Sequence, residues 1–447
     1  MLGYYFRLAT LSFRRNPGLT SLMVLAIALG IAVCVVTLTV YHATSGNPIW
    51  WKNDRLYAVT LDSWDPNEAA DDKHPELPPP QLTYKDAMYL AQSDIPERKV
   101  VMRKAQGVLS GGSTESKPAP TAARVTTSDF FSMFEVPFLF GGGWNAQADQ
   151  APEPIIVLSK EKNDKLFGGA NSVGRTIRWD DREFRIVGVL GDWLPQPKFY
   201  DLNNGHFDSP EDVYLPWGWG IALEKLPAGN TNCWKPENLN TFQDLLGSEC
   251  VWVQMWVELP TAAARERMQT FIDSYWAEQR KAGRFARPQN NRLSTVSQWL
   301  VEREVVSRDN RMLVALAFSF LAVCLINTGG LLLAKFLNNA ANTGVRRALG
   351  ASKRDVFFQH LVEVGTLSVI GAALGLALGA LGLWGVRMLY TTAMSFQQRG
   401  GYQELAHFDI SSVVTAVALT LVTALVAGSY PAWRVGRVAP ASYLKSQ

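Results

Sequence analysis

Four long stretches of this chain contain no charged residue, and each of them is mostly apolar. These stretches are 16–51, 312–334, 364–386 and 410–433. Each holds at least 20 residues, and a helix of that length crosses the roughly 30 Å of hydrocarbon in a bilayer. The pattern therefore predicts a membrane protein with four transmembrane α-helices, at 19–42, 311–336, 361–390 and 409–433.

A polar region, 43–310, separates the first two predicted spans. The segments 55–61 (RLYAVTL) and 250–259 (CVWVQMWVEL) have the residue types and the alternation of strands. A hairpin is expected around Asp180 and Asp181, and a helix over 262–282. The region therefore predicts a large α+β domain inserted between transmembrane helices 1 and 2.

Residues 293–311 precede the second predicted span and have mixed charges with an apolar stripe. The stripe consists of Val296, Trp299, Leu300 and Val306. We expect a single continuous helix here, which extends the second span outward as a helical stalk at the end of the polar domain.

Basic residues fix the predicted orientation, because loops rich in Lys and Arg stay on the cytoplasmic side. They lie before the first span, between the second and third, and after the fourth: Arg7, Arg14, Arg15, Lys335, Arg346, Arg347, Lys353, Arg354, Arg434, Arg437 and Lys445. The segments 1–18 (an amphipathic helix), 337–360 (a loop) and 434–447 (a tail) are then cytoplasmic, as are both termini. The domain at 43–310 and a short loop at 391–408 lie outside.

Small residues recur at intervals of four in two of the spans. The first span has Ala26 and Gly30, and the third has Gly371, Gly375 and Gly379. This spacing lets helices approach closely. It predicts helix packing, either within one subunit or between two.

The four cysteines divide between the spans and the polar domain. Cys34 and Cys324 lie in spans, where they are expected to act as small apolar residues. Cys233 and Cys250 lie in the outer domain, where we predict a disulfide. Neither has a neighbouring Cys or His, so no metal site is expected.

The chain of 447 residues, with a net charge of +3, carries no recognisable catalytic set. Neither HExxH nor GxSxG occurs. Residues 169–176 approach a phosphate-binding loop, but Arg175 stands where that loop needs Lys, and a strand is predicted after it instead of a helix. We therefore expect a chain that is not an enzyme, binds no cofactor itself and has no nucleic-acid partner.

The charged loop at 337–360 has the local signals of two helices separated by a turn. Gly344 and Gly350 break the helical pattern, and Ser352 precedes Asp355 by three residues, the spacing of a capping box. We predict a short helix over 343–349 and a second helix that enters the third span.

The same loop, GVRRALGASKRDV at 344–356 with Glu363 after it, resembles the loop of FtsX-type permeases, the MacB-like class of ABC transporter subunits. In that family the loop is a coupling helix that docks on an ATPase. The residues implicated here are Gly344, Val345, Arg346, Arg347, Ala348, Leu349, Gly350, Ala351, Lys353, Arg354 and Glu363. By spacing, Asn339 and Asn342 occupy positions where the family usually has Arg and Glu.

Three further segments resemble elements of the family: 126–144, 158–190 and the closing segment 429–445. The stretch 191–249 contains no such element, and specificity for a partner or substrate is expected there. The resemblance implies the permease of a type VII ABC system without a fused nucleotide-binding domain, in the inner membrane of a Gram-negative bacterium.

The implied partners are an ABC ATPase subunit, which binds the ATP and Mg, and a second copy of the permease or a related permease. Export through a periplasmic adaptor and an outer-membrane channel is expected. An FtsX-like mechanotransmission subunit that regulates a periplasmic hydrolase or a signalling partner is the alternative. A membrane-anchored enzyme is a third class, which the lack of a catalytic set disfavours.

Overall fold

The computed structural model describes residues 2–111, 117–224, 226–305, 308–338, 345 and 350–393, with 414–415, 418–419, 422 and 428–434. The chain divides into two compact units. Residues 46–305 form one, called the polar unit below. Residues 1–45 and 306–447 form the other, called the apolar unit.

The helices and strands of the described residues alternate along the polar unit, while the apolar unit is helical. The helices are α1 (Leu2–Arg15), α2 (Pro17–Ser45), α3 (Tyr84–Leu90), α4 (Asp129–Met133), α5 (Gln147–Gln150), α6 (Lys160–Phe167), α7 (Trp217–Ala222), α8 (Phe242–Gly247), α9 (Ala262–Lys281), α10 (Val296–Glu302), α11 (Arg308–Asn338) and α12 (Lys353–Ala393). The strands are β1 (Leu56–Thr60), β2 (Arg98–Ser110), β3 (Ala119–Thr126), β4 (Phe138–Gly141), β5 (Ile155–Leu158), β6 (Thr176–Trp179), β7 (Arg182–Leu190), β8 (Val213–Pro216), β9 (Gln254–Glu258) and β10 (Arg292–Thr295). Short 3-10 helices cover Trp50–Lys52 and Phe199–Asn204.

Three helical segments of the described chain are long and apolar enough to cross a membrane: Pro17–His42, Met312–Asn338 and Lys353–Met388. They correspond to the first three predicted spans. The fourth, at 409–433, falls mostly outside the described residues, and its described positions are helical.

One mixed sheet of ten strands organises the polar unit, in the order β10-β1-β9-β2-β3-β8-β5-β7-β4, with β6 paired to β2 and β7. The pairs β3–β8 and β5–β7 are parallel and the others antiparallel. The predicted hairpin is β6 and β7, joined at Asp180 and Asp181. Strands that are far apart in sequence pair directly in this sheet, as β1 and β10 do.

Both faces of the sheet are covered. On one face, residues such as Trp252, Leu90 and Ile272 form a core beneath α3, α8 and α9. On the other, Phe130 and Trp256 belong to an aromatic-rich core that includes residues of α4 and α10. Strands β1 and β9 are buried along their whole length. β1 is apolar apart from Thr60, whereas β9 also buries Gln254 and Glu258 at its two ends.

The predicted continuous stalk helix over 293–311 is wrong. Leu293 and Ser294 belong to β10, which pairs with β1 at the sheet edge. Thr295 then caps α10 through a reciprocal capping box with Gln298. Helix α10 ends at Glu302, and Glu304 has a positive φ of 47°, a backbone conformation that cannot continue a right-handed helix. Tertiary strand pairing and the caps override the helical pattern here.

Candidate functional site

The carboxylate of Glu363 joins three helices at one end of the apolar unit. Its Oε1 accepts a hydrogen bond from Ser12 Oγ of α1 at 2.6 Å, and lies 2.8 Å from Lys335 Nζ of α11. The Lys335 and Glu363 side chains are 1% and 5% exposed, so the ion pair is shielded from water. We call Ser12, Lys335 and Glu363 the Glu363 junction.

Aromatic side chains enclose the Glu363 junction. Lys335 Nζ lies 5.2 Å from the centre of the Phe13 ring, a cation–π distance. The rings of Phe336 and His360 are 4.0 Å apart at their centres, and His360 Nδ1 is 3.6 Å from the second oxygen of Glu363. The low-dielectric surroundings strengthen the attraction of the charged pair and raise the cost of separating it.

Helix α1 contacts the start of α12 at a second point as well. The hydroxyl of Tyr5 donates to Asp355 Oδ1 at 3.5 Å, a long hydrogen bond. Asp355 also accepts from the backbone N–H of Ser352 at 3.0 Å, and Ser352 Oγ accepts from the Asp355 N–H at 3.2 Å. The predicted capping box is therefore present, and it places α1 beside the first turn of α12.

The residues implicated in coupling divide into described and undescribed positions. Val345 is helical and exposed, Gly350 has a φ of +104° at a turn, and Lys353 and Arg354 are exposed in the first turn of α12. Ala351, just before α12, is half-buried. Gly344, Arg346, Arg347, Ala348 and Leu349 lie outside the described residues, so their predicted role stays a prediction.

Helix α1 presents two different surfaces. Ala9 is buried, whereas Tyr4, Phe6 and Leu11 are each more than half exposed. An apolar surface with arginines near the helix end is typical of a helix in the interfacial layer of a membrane. The structure thus combines the predicted amphipathic helix with polar contacts to α12 that sequence reasoning missed. One sequence signal could have indicated the ion pair of the Glu363 junction: Lys335 directly follows the second charge-free stretch, and Glu363 directly precedes the third.

The small residues of the third span face the first span of the same chain. A methyl group added at Gly371 would lie 2.7 Å from Ile27 Cγ2, and one at Gly375 would lie 2.9 Å from the Ala28 carbonyl oxygen. A methyl group added at Gly30 of the first span would lie 2.8 Å from Leu321 Cδ1 of α11. Gly379 makes looser contacts and Ala26 is half-buried. These contacts are made within one chain, and packing between two subunits stays an open alternative for the same residues.

Gly371→Ala is expected to lower the thermal stability of the purified chain, because the added methyl overpacks the α2–α12 contact by about 1–3 kcal/mol. Gly365→Ala is the matched control in the same helix, since nothing lies within 4 Å of its added methyl. The control should be neutral or slightly stabilising. Apparent melting temperatures in detergent at one scan rate measure both, and equal losses would contradict the packing described.

The polar unit contains a buried cluster of charged side chains. Three of its four members belong to the stretch 191–249, for which no family element was recognised. The guanidinium of Arg124 in β3 contacts the carboxylates of Asp201 and Glu211, and Lys198 Nζ lies 2.6 Å from Glu211. All four side chains are at most 1% exposed. Burial alone would raise the pKa of Glu211, but Arg124 and Lys198 hold that pKa well below its ordinary value. Part of the stretch 191–249 is therefore core.

The predicted disulfide is present between Cys233 and Cys250. Next to it, Glu249 accepts hydrogen bonds from Lys85 at 2.7 Å and from Arg284 at 2.9 Å. Arg284 in turn contacts Asp86 in α3 at 2.9 Å. The bridge and these ion pairs tie the segment before β9 to α3 and to the chain that follows α9.

Two family models match the chain. The MacB-like periplasmic core domain matches residues 20–274, more than half of the chain, and the FtsX-like permease C-terminal domain matches residues 314–440. This chain belongs to the MacB-like, FtsX-type permeases. It is an ABC transporter permease and a membrane protein whose polar unit is the periplasmic domain.

The relatives of this MacB-like permease include export proteins. It is 25% identical over 324 residues to the pyoverdine export ATP-binding/permease protein PvdT of Pseudomonas aeruginosa, covering 72% of this chain and 41% of that protein. It is 23% identical over 435 residues to PvdT of Pseudomonas fluorescens, covering 96% and 57%. The chain thus spans about half the length of these curated relatives.

A solved structure also resembles part of the permease. The periplasmic region of MacB from Actinobacillus actinomycetemcomitans matches with 12% identity and a TM-score of 0.35, over 56% of this chain and 92% of that one. The family assignment rests on the sequence models. The two models describe a periplasmic core domain and a permease domain, and the relatives are named as ATP-binding/permease proteins.

Proposed function

We propose that this chain is the mechanical subunit of an exporter: it receives an ATP-driven stroke from a separate ATPase subunit and transmits it to the periplasmic domain. ATP and Mg would be bound by that partner. Two permease chains would act together in the bacterial inner membrane, and export would proceed through a periplasmic adaptor and an outer-membrane channel.

The Glu363 junction is the observation that supports this proposal most directly. A force applied to the loop between α11 and α12 reaches both helices at once, because Lys335 near the end of α11 and Glu363 near the start of α12 are bound to each other. Ser12 adds α1 to the same junction. Three helices tied at one level move together more readily than three independent helices do.

The charge of the loop supports an acidic docking partner. Lys353 and Arg354 are exposed at the start of α12, and Arg346 and Arg347 precede them in sequence. Exposed basic side chains of this kind steer and position a partner with a complementary acidic surface. The names of the relatives, which export pyoverdine and macrolides, favour export of a small molecule over control of a hydrolase.

Reversal of the basic charges tests the proposal. Arg346→Glu combined with Arg347→Glu should abolish co-purification of the ATPase from native membranes and leave the amount of membrane-inserted permease unchanged. The matched control is Arg178→Glu with Lys281→Glu, two exposed positions of the polar unit, which carries the same charge change and should retain the ATPase. If the Arg346→Glu, Arg347→Glu variant still captured the ATPase, these two arginines would have no role in coupling.

The proteins captured with the unmodified permease separate export from the alternative. An ATPase together with a periplasmic adaptor supports the exporter. An ATPase together with a cell-wall hydrolase or a sensor kinase supports an FtsX-like regulatory subunit instead. Mass spectrometry after gentle detergent extraction distinguishes these outcomes.

A further inference from the structure

A cleft of about 660 Å³ lies in the polar unit, where residues of α9, β10 and α10 meet. Arg265 and Gln269 of α9 line it, together with Gln298 and Val301 of α10. Its volume is within the range of sites that bind small ligands. We call it the β10 cleft, and its lining shares no residue with the Glu363 junction or with the buried ion cluster.

Strand β10 stands at one end of the strand order, with β1 as its neighbour. In an antiparallel pair, the backbone groups of alternate residues point toward the neighbouring strand or away from it. The N–H of Thr295 donates to Gln298 Oε1 at 3.0 Å, and the C=O of Asn291 accepts from Gln269 Nε2 at 3.3 Å. Both residues therefore point away from β1. Leu293 lies midway between them, so its N–H and C=O point the same way, into the β10 cleft.

The open backbone groups of Leu293 suit a peptide. Its side chain is only 5% exposed and belongs to the core of the polar unit, so the backbone is what it offers to the cleft. An extended peptide that adds to a sheet edge supplies one C=O and one N–H to such a residue. Strand β10 has four residues, a length of about 13 Å, which matches a peptide of similar length. Edge-to-edge pairing of two folded sheets uses several open residues and is not favoured here.

The charges of the β10 cleft leave one cation available. Glu302 Oε1 lies 3.4 Å from Arg292 Nη1, and Glu302 Oε2 accepts from Ser294 Oγ at 2.8 Å, so this acid is already paired. The guanidinium of Arg265 makes no ion pair or hydrogen bond with any residue that the structure describes. Its central carbon lies 5.3 Å from the centre of the Tyr57 ring, a cation–π distance. This contact positions the guanidinium without using its N–H donors, which are suited to a carboxylate.

We propose that the β10 cleft binds a short acidic peptide in an extended conformation. The peptide backbone pairs with Leu293, and a carboxylate of the peptide pairs with Arg265. Val301 is 68% exposed and offers an apolar contact beside them. The proposal adds a ligand site to the periplasmic domain and does not depend on ATPase binding.

Two libraries of tetrapeptides with blocked termini test the β10 cleft. One position is Asp in the first library and Asn in the second, and the other three positions hold mixed uncharged residues. The tagged full-length permease is immobilised in detergent, and mass spectrometry quantifies the peptides that it retains from an equimolar mixture. The unmodified permease should retain the Asp library about tenfold more than the Asn library, because a hydrogen bond between charged groups is stronger than one between neutral groups.

Substitutions of arginine test the carboxylate partner. Arg265→Gln should lower the Asp/Asn retention ratio to about one, and Arg265→Lys, which keeps the charge without the planar fork, should give an intermediate ratio. Arg267→Gln is the matched control, since Arg267 is exposed on the same helix but does not line the cleft. Loss of folded protein lowers both libraries equally and leaves the ratio unchanged. A ratio of about one for the unmodified permease, or a ratio that Arg265→Gln does not change, overturns the proposal.

A steric change tests the position of the peptide. Val301→Trp places a large side chain at an exposed position of the cleft and should lower retention of both libraries at least fivefold at an unchanged melting temperature. Undiminished retention would place the binding elsewhere and contradict the proposal. Succinate added at the concentration of the peptides should not displace the Asp library. Displacement would show that a carboxylate alone is recognised and that the peptide backbone is not.

A photo-reactive phenylalanine derivative at position 301 tests for a larger occupant in native membranes. With a short peptide as the ligand, irradiation leaves the permease at nearly its own mass. A protein-sized adduct, or a link to another segment of the same chain, would assign the cleft to that occupant and overturn the proposal. Because ATPase capture is measured separately, either result leaves the proposed function standing.

Discussion

Arg124→Leu is expected to lower the stability of the periplasmic domain by about 3–5 kcal/mol, because it leaves an unbalanced negative charge in a fully buried cluster. Arg124 and Lys198 offset Asp201 and Glu211 in the native protein. For a domain of this size the loss corresponds to roughly 6–20 °C in melting temperature. Tryptophan fluorescence of the full chain during heating measures it.

Two variants separate the charge effect from the loss of a large side chain. Arg124→Leu with Asp201→Asn restores the charge balance of the cluster and should recover part of the lost stability. Arg178→Leu removes an exposed arginine from the same sheet and should change stability by less than about 0.5 kcal/mol. If the double variant were less stable than the single one, charge imbalance would not be the cause.

Lys335→Met and Glu363→Met form the second test, of the Glu363 junction in the apolar unit. Each single change leaves one buried charge without its partner and is expected to lower the stability of the apolar unit by about 3–5 kcal/mol. The double change leaves two apolar side chains of similar length and should be less harmful than either single change. Apparent melting temperatures of the purified permease, followed by far-UV circular dichroism in detergent, give the comparison.

The double-mutant cycle is decisive for this pair. An interaction energy of about 0.5–3 kcal/mol between the two positions is expected for contacting charges. Losses that simply add would mean that Lys335 and Glu363 act independently, and the junction would no longer link α11 to α12. Lys353→Met, at an exposed position in the first turn of α12, serves as the control for removal of a lysine.

Local signals in the sequence were sufficient for the elements that depend on neighbouring residues. Charge-free stretches located the three spans that the structure describes. The capping spacing at Ser352 and Asp355 gave the start of α12. These contacts form within one helical turn, so a short window of sequence contains all the information they require.

The helical stalk failed for the opposite reason. Residues 293–311 have a helical pattern in isolation, but Leu293 pairs with Val59, more than 230 positions away. The backbone hydrogen bonds of the sheet edge and the cap at Thr295 outweigh a local preference. No window around residue 293 contains that partner.

The sequence by itself determined the membrane class, the inserted α+β domain, the family and the pairing of the two outer cysteines. Only the tertiary structure decided that Glu363 binds Lys335 and Ser12, that Gly371 packs on Ile27, and that Arg124 meets Asp201 and Glu211. Each of these contacts joins residues on separate elements. Which side chains meet there depends on how whole helices and strands pack, and this is set by the apolar surface buried over the entire unit rather than by any short motif.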